Sequence, residues 1–169
     1  MTSPRGTGQV GLGISALLIA LAAALMGCQG SLPRPMAGLN RQLARAGTAR
    51  SPSLSGRWLA LITSRDGRQR IVLIDVEAQK PVPVPGLNRP DSQPLSVSVD
   101  QGGQRLAVVR QRQGRTELVL YRRDLMSVEP IPMAPAGVPS RVSLRADGRE
   151  LAVQVSRGGG WQVDLIRIP

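Results

Sequence analysis

Alternation of apolar and polar positions is the clearest signal along this chain. Leu-Ser-Val-Ser-Val at 95 to 99 and Arg-Val-Ser-Leu at 141 to 144 have period two, which places Val97 with Val99, and Val142 with Leu144, on one face of a strand. Each is followed by a turn, at 100 to 103 and 146 to 148, where glycine accepts a positive φ and aspartate bonds its own backbone. A second strand then opens on Leu-Ala and ends at a tight hairpin, marked by Asp66-Gly67, Gln113-Gly114 and Gly158-Gly159. Third strands are predicted over 71 to 76, 118 to 121 and 163 to 168. The proline-broken stretches PVPVPG (81 to 86) and EPIPMAP (129 to 135) suit short outer edge strands.

The pattern repeats in register. GRWLALITSRDG, GQRLAVVRQRQG and GRELAVQVSRGG share a skeleton in which Gly56, Leu59, Ala60, Arg65 and Gly67 return as Gly103, Leu106, Ala107, Arg112 and Gly114. They return again as Gly148, Leu151, Ala152, Arg157 and Gly159, so the leading glycines lie 47 and 45 residues apart. Four antiparallel strands at a period in the forties are the layout of a propeller blade. The fold class predicted is all-β: a partial β-propeller of two to three four-stranded antiparallel blades, at about 53–94, 95–139 and 140–169, the third lacking its outer strand. Propellers need about four to eight blades to close, so two apolar end faces are expected to lie uncovered and to bind something. The candidates are another protein, or a second copy completing a ring of about six blades.

The stretch SGRWLALITSRDGRQRIVLIDV is similar to the propeller repeats of the TolB family of periplasmic proteins. The matching positions are Gly56, Leu59, Ala60, Ser64, Arg65, Gly67, Ile71, Leu73 and Asp75, with Asp147-Gly148 reproducing the Asp-Gly of the third repeat. The likeness covers residues 53 to 169 and implies a blade fold with a protein-interaction role in the bacterial envelope, without carrying over a partner.

The N-terminal segment has a different character. Arg5 precedes an apolar run from Val10 to Met26, the pattern of an export signal. The run lies at the short end of what spans a bilayer, so an uncleaved anchor is the competing reading. It ends in Leu25-Met26-Gly27-Cys28, which resembles the lipobox of bacterial lipoproteins. That resemblance implies a signal peptide over 1–27 and a mature chain beginning at Cys28. The thiol would carry a diacylglyceryl group as a thioether, with fatty-acyl chains such as palmitate anchoring the protein to a membrane on its periplasmic side. Residues 28–52 have linker composition and carry Arg34, Arg41, Arg45 and Arg50 with no acidic residue. Leu39 and Leu43 lie four apart, but two leucines are too few for a stable helix by themselves.

Composition narrows the function. There are 22 Lys+Arg against 11 Asp+Glu, Lys80 being the only lysine, and no histidine, which removes the usual general base, metal ligand and pH switch. One cysteine excludes an internal disulfide and a Cys/His zinc site. No cofactor, metal or catalytic residue is therefore assigned. Aspartates 66, 100 and 147 lie in turns, and Asp75 and Asp164 on third strands, so a carboxylate pair for glycoside hydrolysis is only formally available. Two tryptophans, one tyrosine and no phenylalanine cannot make the stacking platforms of a single-strand nucleic-acid binder, and nucleic acid is not expected as a partner.

The net charge of +11 favours anionic partners. The repeated Arg65, Arg112 and Arg157 are the candidate contacts for an anion or a partner, three guanidiniums on one rim, against the plainer reading of solvated residues beside hairpin turns. The function expected is a non-catalytic, membrane-anchored envelope lipoprotein acting as a scaffold or adaptor through its blades. The alternative is a binder of anionic envelope polymer, lipopolysaccharide or cell wall, through the basic surface.

Overall fold

A computed structural model describes residues 32 to 169, so the expected signal peptide and Cys28 lie outside the described residues. Three antiparallel meanders follow a short helix. The first sheet runs β1 (Thr48–Ser55), β2 (Trp58–Arg65), β3 (Arg68–Asp75) and β4 (Lys80–Val82), neighbours in sequence being neighbours in the sheet. The second repeats the order with β5 (Ser92–Val99), β6 (Arg105–Arg112), β7 (Arg115–Arg122) and β8 (Ser127–Pro130), and the third stops at three strands, β9 (Val138–Leu144), β10 (Glu150–Arg157) and β11 (Gly160–Arg167). These are two complete blades and one without its outer strand, stacked as in a partial propeller.

Register explains the stacking. On one face of each sheet a cross-strand row Ser-Ala-Leu recurs: Ser53, Ala60 and Leu73 in the first, Ser98, Ala107 and Leu120 in the second, Ser143, Ala152 and Leu165 in the third. On the opposite face the row is bulky: Leu54, Leu59 and Ile74, then Val99, Leu106 and Tyr121, then Leu144, Leu151 and Ile166. The small row of one blade meets the bulky row of the next. Ala60, Ile62, Ile71 and Leu73 pack on Val97, Val99, Leu106, Val108, Val119 and Tyr121. Ala107, Val109, Leu118 and Leu120 pack on Leu144, Leu151, Val153 and Val155. Alanine in the centre of the row is what lets the sheets approach, and Ala60 and Ala107 are completely buried.

The serines do a second job. Val97 and Val99 N–H donate to Ser51 Oγ (3.3 Å) and Ser53 Oγ (3.2 Å) of the preceding blade. Val142 and Leu144 N–H donate in the same way to Ser96 Oγ (3.2 Å) and Ser98 Oγ (2.9 Å). Inner-strand amides that face no fourth partner in their own sheet are thereby satisfied across the blade junction, as buried amides must be.

The leading glycine of each repeat has a reason in the same junction. At Gly103 φ is +63°, and an added Cβ would lie 2.4 Å from the Trp58 ring of the preceding blade. Gly148 is likewise left-handed and meets the Arg105 stem.

Two expectations are corrected. Residues 28–52 are not linker to their end: Ala37–Arg45 form a helix, α1, and β1 begins at Thr48. Two leucines suffice because they do not act alone. Leu39 (4% exposed) and Leu43 close on Leu59, Leu61, Val72 and Ile74, the bulky face of the first blade. Helix stability here comes from that packing. The same contact covers the outer part of this end face, since α1 lies where a preceding blade would, while Leu54 on the inner strand stays exposed.

Candidate functional site

Among the described residues, nothing covers the far end of the array in this way. Leu165 (83% exposed), Val163 (68%) and Trp161 (63%) form one row on β11, in register with Ala152, Gln154 and Ser156 of β10. The counterparts of Val163 and Leu165 in the second blade, Leu118 and Leu120, are buried under the third. Among the described residues, the outer edge of β11 also lacks the strand that β4 and β8 supply to their sheets. An apolar row beside an unpaired strand edge is the arrangement that recruits another sheet or strand.

The repeated arginines are not brought to one point. Arg157 is the most engaged: it pairs with Asp164 (2.8 Å) and donates to the Pro135 and Ala136 carbonyls (2.8 and 3.1 Å), holding the loop that enters the third blade. Its guanidinium keeps the Asp164 carboxyl below the usual range. Arg112 pairs with Asp91 (2.9 Å), which Arg89 also contacts (3.0 Å). Both hold that carboxyl down, Arg89 most strongly. Arg65 is exposed, with Asp66 at 3.8 Å. The three therefore occupy equivalent strand ends with three different local duties.

Two clefts lie away from this end face. One, of about 630 Å³, lies at the hairpin rim between the first two blades and is lined by Arg68, Arg70, Arg89 and Asn88 among others. None of the three repeated arginines lines it. The other, of about 720 Å³, runs over the inner strands β1, β5 and β9, with Arg50 and Arg141 among its serines. The rim cleft was not signalled by a motif, because its residues come from unlike places in successive repeats.

Carboxylates are committed elsewhere. Nine of the 11 acidic residues sit in ion pairs with arginine, and Asp100 accepts from the Gln104 and Arg105 amides in its turn. Asp75 is held ionised first by Arg57, then by the Ala78 amide. Among the described residues no group of three potential metal-ligating acidic or cysteine side chains is found.

No protein-family model and no curated protein matches the sequence. Among solved structures, the chain is similar to TolB from Acinetobacter baumannii, with a TM-score of 0.55 and 20% identity over 70% of this chain. The chain spans 29% of the length of that protein. At this identity the likeness establishes the fold, part of a TolB-like β-propeller.

Proposed function

We propose that this protein is a non-catalytic scaffold or adaptor of the bacterial cell envelope, tethered to a membrane through a lipid on Cys28 and presenting its last blade to a protein partner. The observation that carries the reading is the exposed row Trp161, Val163 and Leu165 on β11, whose outer edge has no neighbouring strand among the described residues. Apolar surface in this arrangement is costly to leave wet and is the signature of a contact face. The lipobox-like Leu25-Met26-Gly27-Cys28 and the TolB-like fold support the envelope address. A second reading draws on the arginine-lined rim cleft: Arg68, Arg70 and Arg89 would hold phosphates or carboxylates of lipopolysaccharide or cell wall.

A photo-crosslinking side chain at position 163, in whole envelopes, separates the two. The protein reading expects a discrete protein adduct that survives about 1 M salt, where exposed charge contacts are screened, and that is lost when Leu165→Arg is added. Adducts confined to polysaccharide, and dispersed by salt, would overturn it in favour of the second reading.

A further inference from the structure

We infer that the occupant of the open blade face is a second copy of this chain, docked head to tail on the bulky face of its first blade, and that α1 competes for that face. This inference rests on the protein-contact reading above and names the partner.

The two internal junctions of the chain define what a docking face must carry. The accepting side offers the Ser-Ala-Leu row, and the incoming side offers a bulky row whose inner-strand amide reaches the serine. The last blade keeps the accepting row intact as Ser143, Ala152 and Leu165. The first blade keeps the incoming row as Leu54, Leu59 and Ile74. Leu54 is the register equivalent of Val99 and Leu144, whose amides bond Ser53 and Ser98. It is 67% exposed, so α1 covers the outer part of that row and leaves the inner part open.

The second hydrogen bond of each junction supplies an independent check. In the internal junctions it joins Ser51 to Val97 and Ser96 to Val142. Between the chain's own two ends the corresponding pair is Arg141 and Pro52. Arg141 has no acceptor, and Pro52 has no N–H to donate. Both halves of this bond are missing together, so head-to-tail docking would bury no orphaned amide there. The pair that remains, Ser143 with Leu54, retains both its halves. Face-to-face pairing of two open ends, by contrast, would give Ser143 no inner-strand amide of the kind that Ser53 and Ser98 accept from in the internal junctions.

Head-to-tail contacts generate a closed ring when the rotation closes. The described blades of two copies together number six, within the range in which propellers close. The obstacle is α1, which must leave Leu61 and Ile74 first. It is built to leave: nine residues long, it has no side-chain cap at Met36.

The test uses two full-length populations, one carrying Ser143→Cys and the other Leu54→Cys, mixed under mild oxidation, with disulfides mapped by mass spectrometry. The expected result is a bond between positions 143 and 54 of different copies, forming in the mixture and lost when Leu165→Arg is added to the first population. Adding Leu39→Ala to the second population, to loosen α1, is expected to raise the yield at limiting concentration by about tenfold, as removal of a competing closed state does. Bonds joining 143 to 143, or no bond between folded copies, would overturn the inference. If those bonds fail while the position-163 adduct to another protein persists, the scaffold reading stands and only the second-copy assignment falls.

Discussion

Ser98→Ala is the sharpest probe of how the blades are joined. Ser98 Oγ is buried, accepts the Leu144 amide at 2.9 Å and lies 3.1 Å from Ser53 Oγ. Removing the hydroxyl leaves the buried Leu144 N–H on β9 without its acceptor. Leaving one such group unsatisfied costs about 1–3 kcal/mol, well above the 0.5 kcal/mol or so of an ordinary surface change. Alanine keeps the Cβ, so packing of the row changes little. At roughly 4 °C per kcal/mol for a domain of this size, Tm should fall by about 4–12 °C. Ser143→Ala is the internal control, since it deletes the same hydroxyl from the same row where nothing is docked. The assay is urea unfolding followed by far-ultraviolet circular dichroism, at protein concentrations where the chain is monomeric. A Ser98→Ala variant within about 0.5 kcal/mol of the parent, or a Ser143→Ala variant equally destabilised, would refute the idea that serine hydroxyls carry the junction.

Four further expectations follow from particular contacts. Leu39→Ala should cost about 2 kcal/mol, at the low end for a buried leucine because a surface helix can detach, and limited proteolysis should then cut within 37 to 45 first. Tyr121 is fully buried with its hydroxyl unpartnered, so Tyr121→Phe should leave stability unchanged or raise it by about 1 kcal/mol, read from urea midpoints. Gly103→Ala should destabilise more than Gly114→Ala: both glycines are left-handed, but only the first would drive a Cβ into Trp58. The Asp75, Asp91 and Asp164 carboxyls are all held below their ordinary value by arginines. Their contribution is therefore present above about pH 4 and lost as pH falls through the depressed values, and the urea midpoint should decline over that acid range.

The blade pattern was legible because it is written in two independent scripts, period-two alternation and turn glycines, that agree at three places. The predicted strands at 95 to 99, 71 to 76 and 163 to 168 fall on β5, β3 and β11 within a few residues at each end. The serine-rich β1 was not legible. Thr-Ala-Arg-Ser-Pro-Ser-Leu-Ser has linker composition, since an inner strand that takes its stabilisation from hydroxyl acceptors does not need an apolar face. Helix α1 was hidden for a related reason: its two leucines mean little until the face they cover is known. The repeated arginines were visible by spacing, yet spacing could not say that Arg157 would be drawn into Asp164 while Arg65 stays in solvent. The open apolar row on β11 was anticipated as an uncovered face. That its Ser143-Ala152-Leu165 register matches the internal junctions required the strand pairing itself.

The unequal ends give the molecule a direction of wear. In a linear array each sheet is stabilised only by its neighbours, and the second blade has one on either side, whereas among the described residues the third has one, and its β11 pairs on one edge alone. Local opening therefore begins at β11, and amide exchange and protease cleavage should advance from there toward the helix-covered end. Whatever seats itself on Leu165 and Val163 closes the weakest point of the chain, so occupancy is paid back as lifetime. A copy with its face covered would outlast a solitary one in a protease-rich compartment, and the population that persists would be the population that is engaged.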